Sequence, residues 1–249
     1  MPSFQVAEAV GEVVLPGDVL QVPLHTQDGL LSLSSSSEPG RIKTVCGPGL
    51  MRSGEDLLVC KCGLLRHKEP AVYWVDSQQK RYVPVKGDHV IGIVTTKSGD
   101  IFKVDVGGSE QASLSYLAFE GATKKNRPNV KVGDIVYGQF IVANKDMEPE
   151  MACIDSSGKA NGKGVIAQDG LMFKVSLGLV RKLLTPENDI IQEIMNIFPL
   201  ELVIGMNGRI WVKAKTIQQT LIVANLLEAC EYLSAQQRKQ VFAKFSDLI

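Results

Sequence analysis

The sequence has no surplus of either charge: 27 lysines and arginines face 27 aspartates and glutamates. A stand-alone binder of a polyanion is more often basic overall. Any such contact is therefore expected to be local and modest, or shared with partners. No run of about eighteen apolar residues occurs, so no membrane span is expected. The opening MPSFQVAEAVGEVV lacks a basic start followed by a long apolar core, and no secretion signal is expected there. Cysteine is odd in number and without zinc spacing: Cys46, Cys60, Cys62, Cys153 and Cys230. Reduced, partly buried thiols are expected, with Cys60 and Cys62 on one face of a β run. His25, His67 and His89 are scattered and form no acid–base group. The nearest carboxylate pairs, Asp100 with Asp105 and Glu148 with Glu150, do not make a two-metal site for phosphoester hydrolysis. The glycine-rich Ser156–Gly164 lacks the GxxxxGK(S/T) spacing of a phosphate-binding loop and reads as a linker or a set of tight turns. No metal, cofactor or catalytic residue is expected.

What remains is a packed chain of 249 residues, 45% hydrophobic and 22% charged. Its first third is β-patterned. VGEVVLPGDVLQVPL holds a Pro16-Gly17 turn, because proline presets one φ and glycine permits the positive one. His25–Glu38 is serine-rich and reads as a surface loop. Arg41–Tyr82 returns to β runs separated by turns at Gly47-Pro48-Gly49 and Ser53-Gly54. Arg66-His67-Lys68 and Lys80-Arg81 are the basic clusters there, either solvated turns or a docking or RNA-facing patch. Tyr73 and Trp74 lie on a β run, and core packing is expected for one of them. A small all-β domain is inferred over residues 1–84.

From Lys86 to Asp155 five short runs alternate with Gly, Asn, Asp and Pro: Val90–Thr95, Ile101–Val106, Ala112–Leu117, Asp134–Val142 and Met151–Ile154. Side chains alternate faces, so Phe102, Val104 and Val106 share one side, and Ile101, Lys103 and Asp105 take the other. Five strands in about 70 residues suit a small closed barrel of the OB type, in which closure removes exposed edges.

After Ser156 the pattern becomes α/β. Leu171–Val175 reads as a strand and Leu177–Leu184 as a short helix. Thr185-Pro186-Glu187 reads as the capped start of a second helix ending at Ile197. Leu200–Ile204 and Arg209–Ala214 form a hairpin around Gly205-Met206-Asn207-Gly208. Val223, Leu226, Leu227, Cys230 and Leu233 make an apolar stripe at helical spacing. Ser234 caps a last helix with Val241, Phe242 and Phe245 inward.

The barrel stretch resembles an S1 RNA-binding domain. The likeness rests on GIV, DIFKVDVGG, ASLSYLAFE and VKVGDIVYGQF in that order. Strand, helix, helix, strand, strand, helix is the order of a KH domain. GMNGRIWVKA resembles the C-terminal region of the S1/KH-type cap subunits of the eukaryotic RNA exosome, which carry GxNG before an Ile-Trp pair. The resemblance covers nearly the whole chain. It implies a mostly β protein with an α/β C-terminal domain: an N-terminal β domain (1–84), an S1 OB-type five-stranded barrel (85–157) and a KH-like domain (158–249). It also implies a non-catalytic subunit that sits on a ring of RNase PH-like proteins beside other cap subunits and lines the entrance for single-stranded RNA. The setting would be RNA decay and ribosomal RNA processing in nucleus, nucleolus and cytoplasm.

An S1 barrel holds RNA by charge and stacking. The Lys86–Lys131 stretch has seven basic residues against five acids, so clustering matters more than net charge. The candidates are Lys124, Lys125 and Arg127 in the loop between the third and fourth strands, with Lys97 and Lys103 completing a groove. Tyr116 is the stacking candidate, and Phe102 is assigned to the core. A working KH domain clamps the RNA backbone with a GxxG loop between its first two helices, where glycine lets phosphate approach the main chain. Here that junction is Thr185-Pro186-Glu187-Asn188, without glycine and with a carboxylate. Gly205, Asn207 and Gly208 lie in a strand–strand turn and are read as structural, with Trp211 buried beside them. A free-standing S1–KH or translation-associated RNA binder is the alternative, and the altered clamp argues against it. Polynucleotide phosphorylases carry the two modules in reverse order after catalytic domains.

Overall fold

The computed structural model describes residues 3–21, 44–144, 146–186 and 188–246. The serine-rich stretch His25–Glu38 and Glu187 lie outside the described residues, as does His25 itself. The chain divides into two compact units, 1–78 and 79–249.

Among its described residues the first unit is two four-stranded sheets and one turn of helix. Its elements are β1 (Ser3–Gln5), α1 (Val6–Ala9), β2 (Val13–Val14), β3 (Val19–Gln21), β4 (Val45–Cys46), β5 (Leu50–Ser53), β6 (Asp56–Val59), β7 (Gly63–Lys68) and β8 (Val72–Asp76). Strand order is β1-β3-β6-β5 in one sheet and β2-β7-β8-β4 in the other. Alternation gives each sheet one apolar face. Val14, Leu65 and Val75 from one and Leu20, Leu57 and Val59 from the other close the core. Gly17, at φ +97°, completes the turn after Pro16. Cys60 and Cys62 follow β6 in an exposed turn, so they do not share a strand face as expected; the β run stops at Val59.

The second unit opens with β9 (His89–Ser98), β10 (Ile101–Asp105), β11 (Ala112–Ser115), β12 (Ile135–Asn144) and β13 (Met147–Ala152). Order β13-β11-β10-β9-β12, with β12 also paired to β13, closes a five-stranded barrel. Phe102, Val104, Val106, Leu114, Val136, Phe140 and Met151 fill it. Each such side chain contributes roughly 1.5–3 kcal/mol by leaving water. The third run is shorter than its sequence suggests: β11 ends at Ser115 and a 3-10 turn takes Tyr116–Ala118. Within Ser156–Gly164 the Asp155 carboxylate accepts hydrogen bonds from the main-chain N–H groups of Ser157 and Lys159, making compact turns. A sixth strand, β14 (Gly164–Ile166), then adds to β12.

The KH-like part holds β15 (Leu171–Lys174), α2 (Leu177–Leu184), α3 (Ile190–Ile197), β16 (Leu200–Gly205), β17 (Arg209–Ala214), α4 (Ile217–Ala229) and α5 (Ala235–Ser246). Its antiparallel sheet has the order β15-β17-β16. Leu179, Leu183, Ile190, Ile194, Val223, Leu226, Leu227, Cys230 and Phe242 pack on the sheet's Ile210 and Val212. Ser234 caps α5 by accepting from the Gln237 N–H, while Gln237 Oε1 accepts from the Ser234 N–H. Thr185 does not start α3. It is the C-cap of α2, its hydroxyl donating to the Arg181 carbonyl, and Pro186 follows as a stop. The start of α3 is set by Asn188, whose Oδ1 accepts from the Ile190 N–H. A threonine before proline fits both ends of a helix, and here it closes the earlier one.

Candidate nucleic-acid interface

Three of the candidate cations, Lys97, Lys124 and Lys125, are not tied up in ion pairs among the described residues. Lys97 is the penultimate residue of β9, and its ammonium lies 5.3 Å from the Phe102 ring centroid. Lys124 and Lys125 occupy the centre of the turn 123–126. That turn is held by the Thr123 N–H donating to the Asn126 carbonyl at 2.9 Å and the Asn126 N–H donating to Thr123 Oγ1 at 3.0 Å. The turn pushes both ammonium groups into solvent. Among the described residues no carboxylate pairs with Lys97, Lys124 or Lys125.

The other three candidates are engaged within the fold. Arg127 Nη1 lies 3.0 Å from Asp100 Oδ1, and its guanidinium stands 4.7 Å over the Tyr116 ring. Lys103, on the outer face of β10, is paired with Glu148 on β13. Tyr116 is 5% exposed, inside the barrel core. The expected stacking platform is therefore absent at this residue, because the 3-10 turn after β11 rotates the ring inward and Arg127 covers it. The outer face of β10 and β11 carries Lys103, Asp105, Ser113 and Ser115, which are groups for charge and hydrogen bonding. Phe102 is 2% exposed and is a core residue.

The Gly205–Gly208 turn packs onto this barrel. The Asn207 side chain accepts from the Ile91 N–H at 3.2 Å and donates to the Ile91 and Val106 carbonyls, each at 2.8 Å. A Cβ on Gly205 would stand 2.8 Å from Ile91 N and 2.4 Å from Asn207 Oδ1. Gly208 takes φ +78°, and its carbonyl accepts from the Val175 N–H. Trp211 is 2% exposed, and Gly170 leaves room for its ring.

Arg209 was not singled out by sequence reasoning. It is 2% exposed; Nη2 donates to Asp105 Oδ2 at 2.6 Å and Nη1 to the Asp105 carbonyl at 2.5 Å. Burial raises the Asp105 pKa, but the Gly107 N–H and the Arg209 guanidinium outweigh it and hold the carboxyl below its ordinary value. The one available signal was alternation: Arg209 shares a strand face with Trp211 directly after the turn.

Where a KH clamp would lie, a concavity of about 290 Å³ is lined by Lys182, Thr185, Asn188, Asp189 and Arg238. Its cations are spent: Lys182 Nζ donates to the Cys230 carbonyl and Arg238 Nε to Glu193. Three of the four carboxylates considered for metal chemistry are spent likewise. Asp100 pairs with Arg127, Asp105 with Arg209 and Glu148 with Lys103. His89 has its pKa lowered by burial and by Lys163, and it packs on Tyr137.

Comparison with known proteins follows the same divisions. Residues 12–78 match the family described as mammalian exosome complex component RRP40, N-terminal. Residues 82–164 match exosome complex component RRP40, S1 domain, and residues 170–218 match the KH domain. The chain is 67% identical over 255 residues to exosome complex component RRP40 of Mus musculus, covering 97% of this chain and 93% of that one. It is 41% identical over 207 residues to the Drosophila melanogaster protein of that name, covering 83% and 89%. A solved structure provisionally named an exosome complex RNA-binding protein has a TM-score of 0.56 at 19% identity. It covers 68% of this chain and 97% of that chain, which shows a shared fold.

Proposed function

The chain belongs to the exosome complex component RRP40 family, and from that premise we propose that it is a non-catalytic cap subunit of the RNA exosome. It binds a ring of RNase PH-like subunits, steadies that ring beside neighbouring cap subunits, and guides single-stranded RNA toward the ring's channel. Its work includes ribosomal RNA maturation and messenger RNA decay, in nucleus, nucleolus and cytoplasm. Phosphates are met by Lys97, Lys124 and Lys125, with Arg127 and Lys103 joining once RNA competes with their internal carboxylates.

The observation that carries this reading is the division of labour in the second unit. The barrel keeps free ammonium groups on a formed loop, while the KH-like part has no glycine among Thr185, Pro186, Asn188 and Asp189 and uses its GxNG turn to grip the barrel. Such a chain holds RNA weakly and by charge, which suits guidance within an assembly better than tight capture alone. The test is reconstitution with purified ring subunits, followed by gel filtration and an RNA degradation assay. Co-elution with the ring, and no degradation by the chain alone, is expected. Degradation of RNA by the isolated chain, or failure to join any ring, would overturn the proposal.

A further inference from the structure

Two of the cysteines differ from the rest. Cys153 and Cys230 are buried, and burial pushes the thiol of Cys153 up to about 12 and that of Cys230 upward as well. Cys46 is half-buried against the core of the first unit. Thiols buried in apolar surroundings are inert. Cys60 and Cys62 are both free and exposed, with only Lys61 between them, in the turn that joins β6 to β7.

The turn draws this pair together. In a straight strand, Cα atoms two residues apart are roughly 6.4–6.8 Å apart. That is the upper edge of the separations a disulfide spans, about 4.4–6.8 Å. Here the β run stops at Val59 and the chain bends at Lys61, which shortens the span. Both ends of the turn are fixed. The Cys60 N–H donates to the Gly49 carbonyl at 2.8 Å. Gly63 opens β7 hard against Asp76, where a Cβ would stand 2.4 Å from the Asp76 carbonyl oxygen. A bond between the two sulfurs would therefore close on a preset turn and leave Val59 and Leu65, the core residues on either side, in place. Cys60 Sγ lies 3.7 Å from the Leu58 carbonyl, a weak contact that rotation of an exposed side chain gives up easily.

We propose that Cys60 and Cys62 form a reversible dithiol–disulfide pair, oxidised by a small anionic disulfide of the glutathione type. Lys61, exposed between them, offers its ammonium to the carboxylates of that reagent. One cysteine thiolate attacks a sulfur of glutathione disulfide, whose S–S bond breaks, and one glutathione thiolate leaves. The second cysteine attacks the protein-bound sulfur and expels the other glutathione thiolate. The two cysteines give up two electrons and two protons, and glutathione disulfide becomes two molecules of glutathione. The ring so closed is small and the bond is exposed, which makes a disulfide easy to reduce, so excess reduced glutathione reverses the exchange. Transient pairs of this kind are the form disulfides take in reducing compartments. The reaction needs neither RNA nor a ring.

The test exposes the full chain to glutathione disulfide under native conditions. Acid stops the exchange, the remaining thiols are alkylated, and mass spectrometry maps each cysteine. Wild type is compared with Cys60→Ser and Cys62→Ser. Wild type should lose two free thiols, at Cys60 and Cys62, and carry no bound glutathione. Each variant should stop at the mixed disulfide, with one glutathione on its remaining exposed cysteine. Excess reduced glutathione should restore the free thiols of all three chains. Wild type carries the decisive result even where a variant folds poorly. Glutathione retained on Cys60 and Cys62 of wild type would show two independent thiols and overturn the pair. Disulfides to Cys46 or between chains, or thiols at 60 and 62 that do not react, would overturn it as well.

Discussion

Replacing Gly205 by alanine tests whether the GxNG turn is structural. The added Cβ meets Asn207 Oδ1 at 2.4 Å and Ile91 N at 2.8 Å. Neither neighbour can yield cheaply, since one is main chain and the other is bound on Ile91. To fit the methyl, the turn must lift from β9, loosening the three hydrogen bonds of Asn207. A buried donor or acceptor left bare costs about 1–3 kcal/mol. Partial loss of three such bonds therefore destabilises the second unit by about 3–4 kcal/mol. A unit of this size shifts its Tm by roughly 2–4 °C per kcal/mol, so a fall of roughly 6–16 °C is expected. Gly158→Ala is the contrasting control: unlike Gly205 it has positive φ, at +77°, but nothing stands within 4 Å of its Cβ. It should lose only the conformational term, about 1 kcal/mol. The assay is thermal melting followed by circular dichroism, with RNA anisotropy on both variants. RNA affinity of the folded Gly205→Ala chain should stay within about threefold of wild type. A Tm within 2 °C of wild type, or a loss equal to that of Gly158→Ala, would refute the steric account, and intact stability with lost RNA binding would refute the structural role.

Lys124→Ala with Lys125→Ala should weaken RNA binding across sequences and reduce the slope of log K against log salt by about 1.4, two phosphate contacts at roughly 0.7 each; a salt series by anisotropy reads this. Glu148→Gln should release Lys103 for phosphate, raising RNA affinity by about two- to fivefold and costing under about 1 kcal/mol of stability, because the pair is half exposed. Asp105→Asn tests the acid side of the fold. The Asp105 pKa is depressed in the folded state, so its contribution is full above the unfolded value of 3.8 and is lost as pH falls through the lower folded one. Wild type should lose stability over that window in urea titrations, and Asp105→Asn should lose less.

Where alternation met turn residues, the chain could be read directly. Phe102, Val104 and Val106 fell on the core side because Gly99-Asp100 and Gly107-Gly108 on the two flanks pinned the strand ends. Ser234 was legible as a cap ahead of an apolar-periodic helix, and Gln237 completes the cap in the structure. What escaped were residues whose role depends on a remote partner. Arg209 looks like any strand cation until the turn folds back on Asp105, 104 positions away. Tyr116 was given a free face because nothing local marks the end of β11 as a 3-10 turn. Thr185 was assigned to the wrong helix because a capping residue followed by proline is locally ambiguous. The fold was legible through periodicity, whereas the cations' true partners were set by tertiary geometry.

The Asn207 amide serves both the N–H and the C=O of Ile91, so barrel and KH-like fold cannot swivel against each other without stranding buried main-chain groups. In a cap subunit they would act as a single lever. A transcript drawn past Lys124 and Lys125 would pull on that lever as a whole.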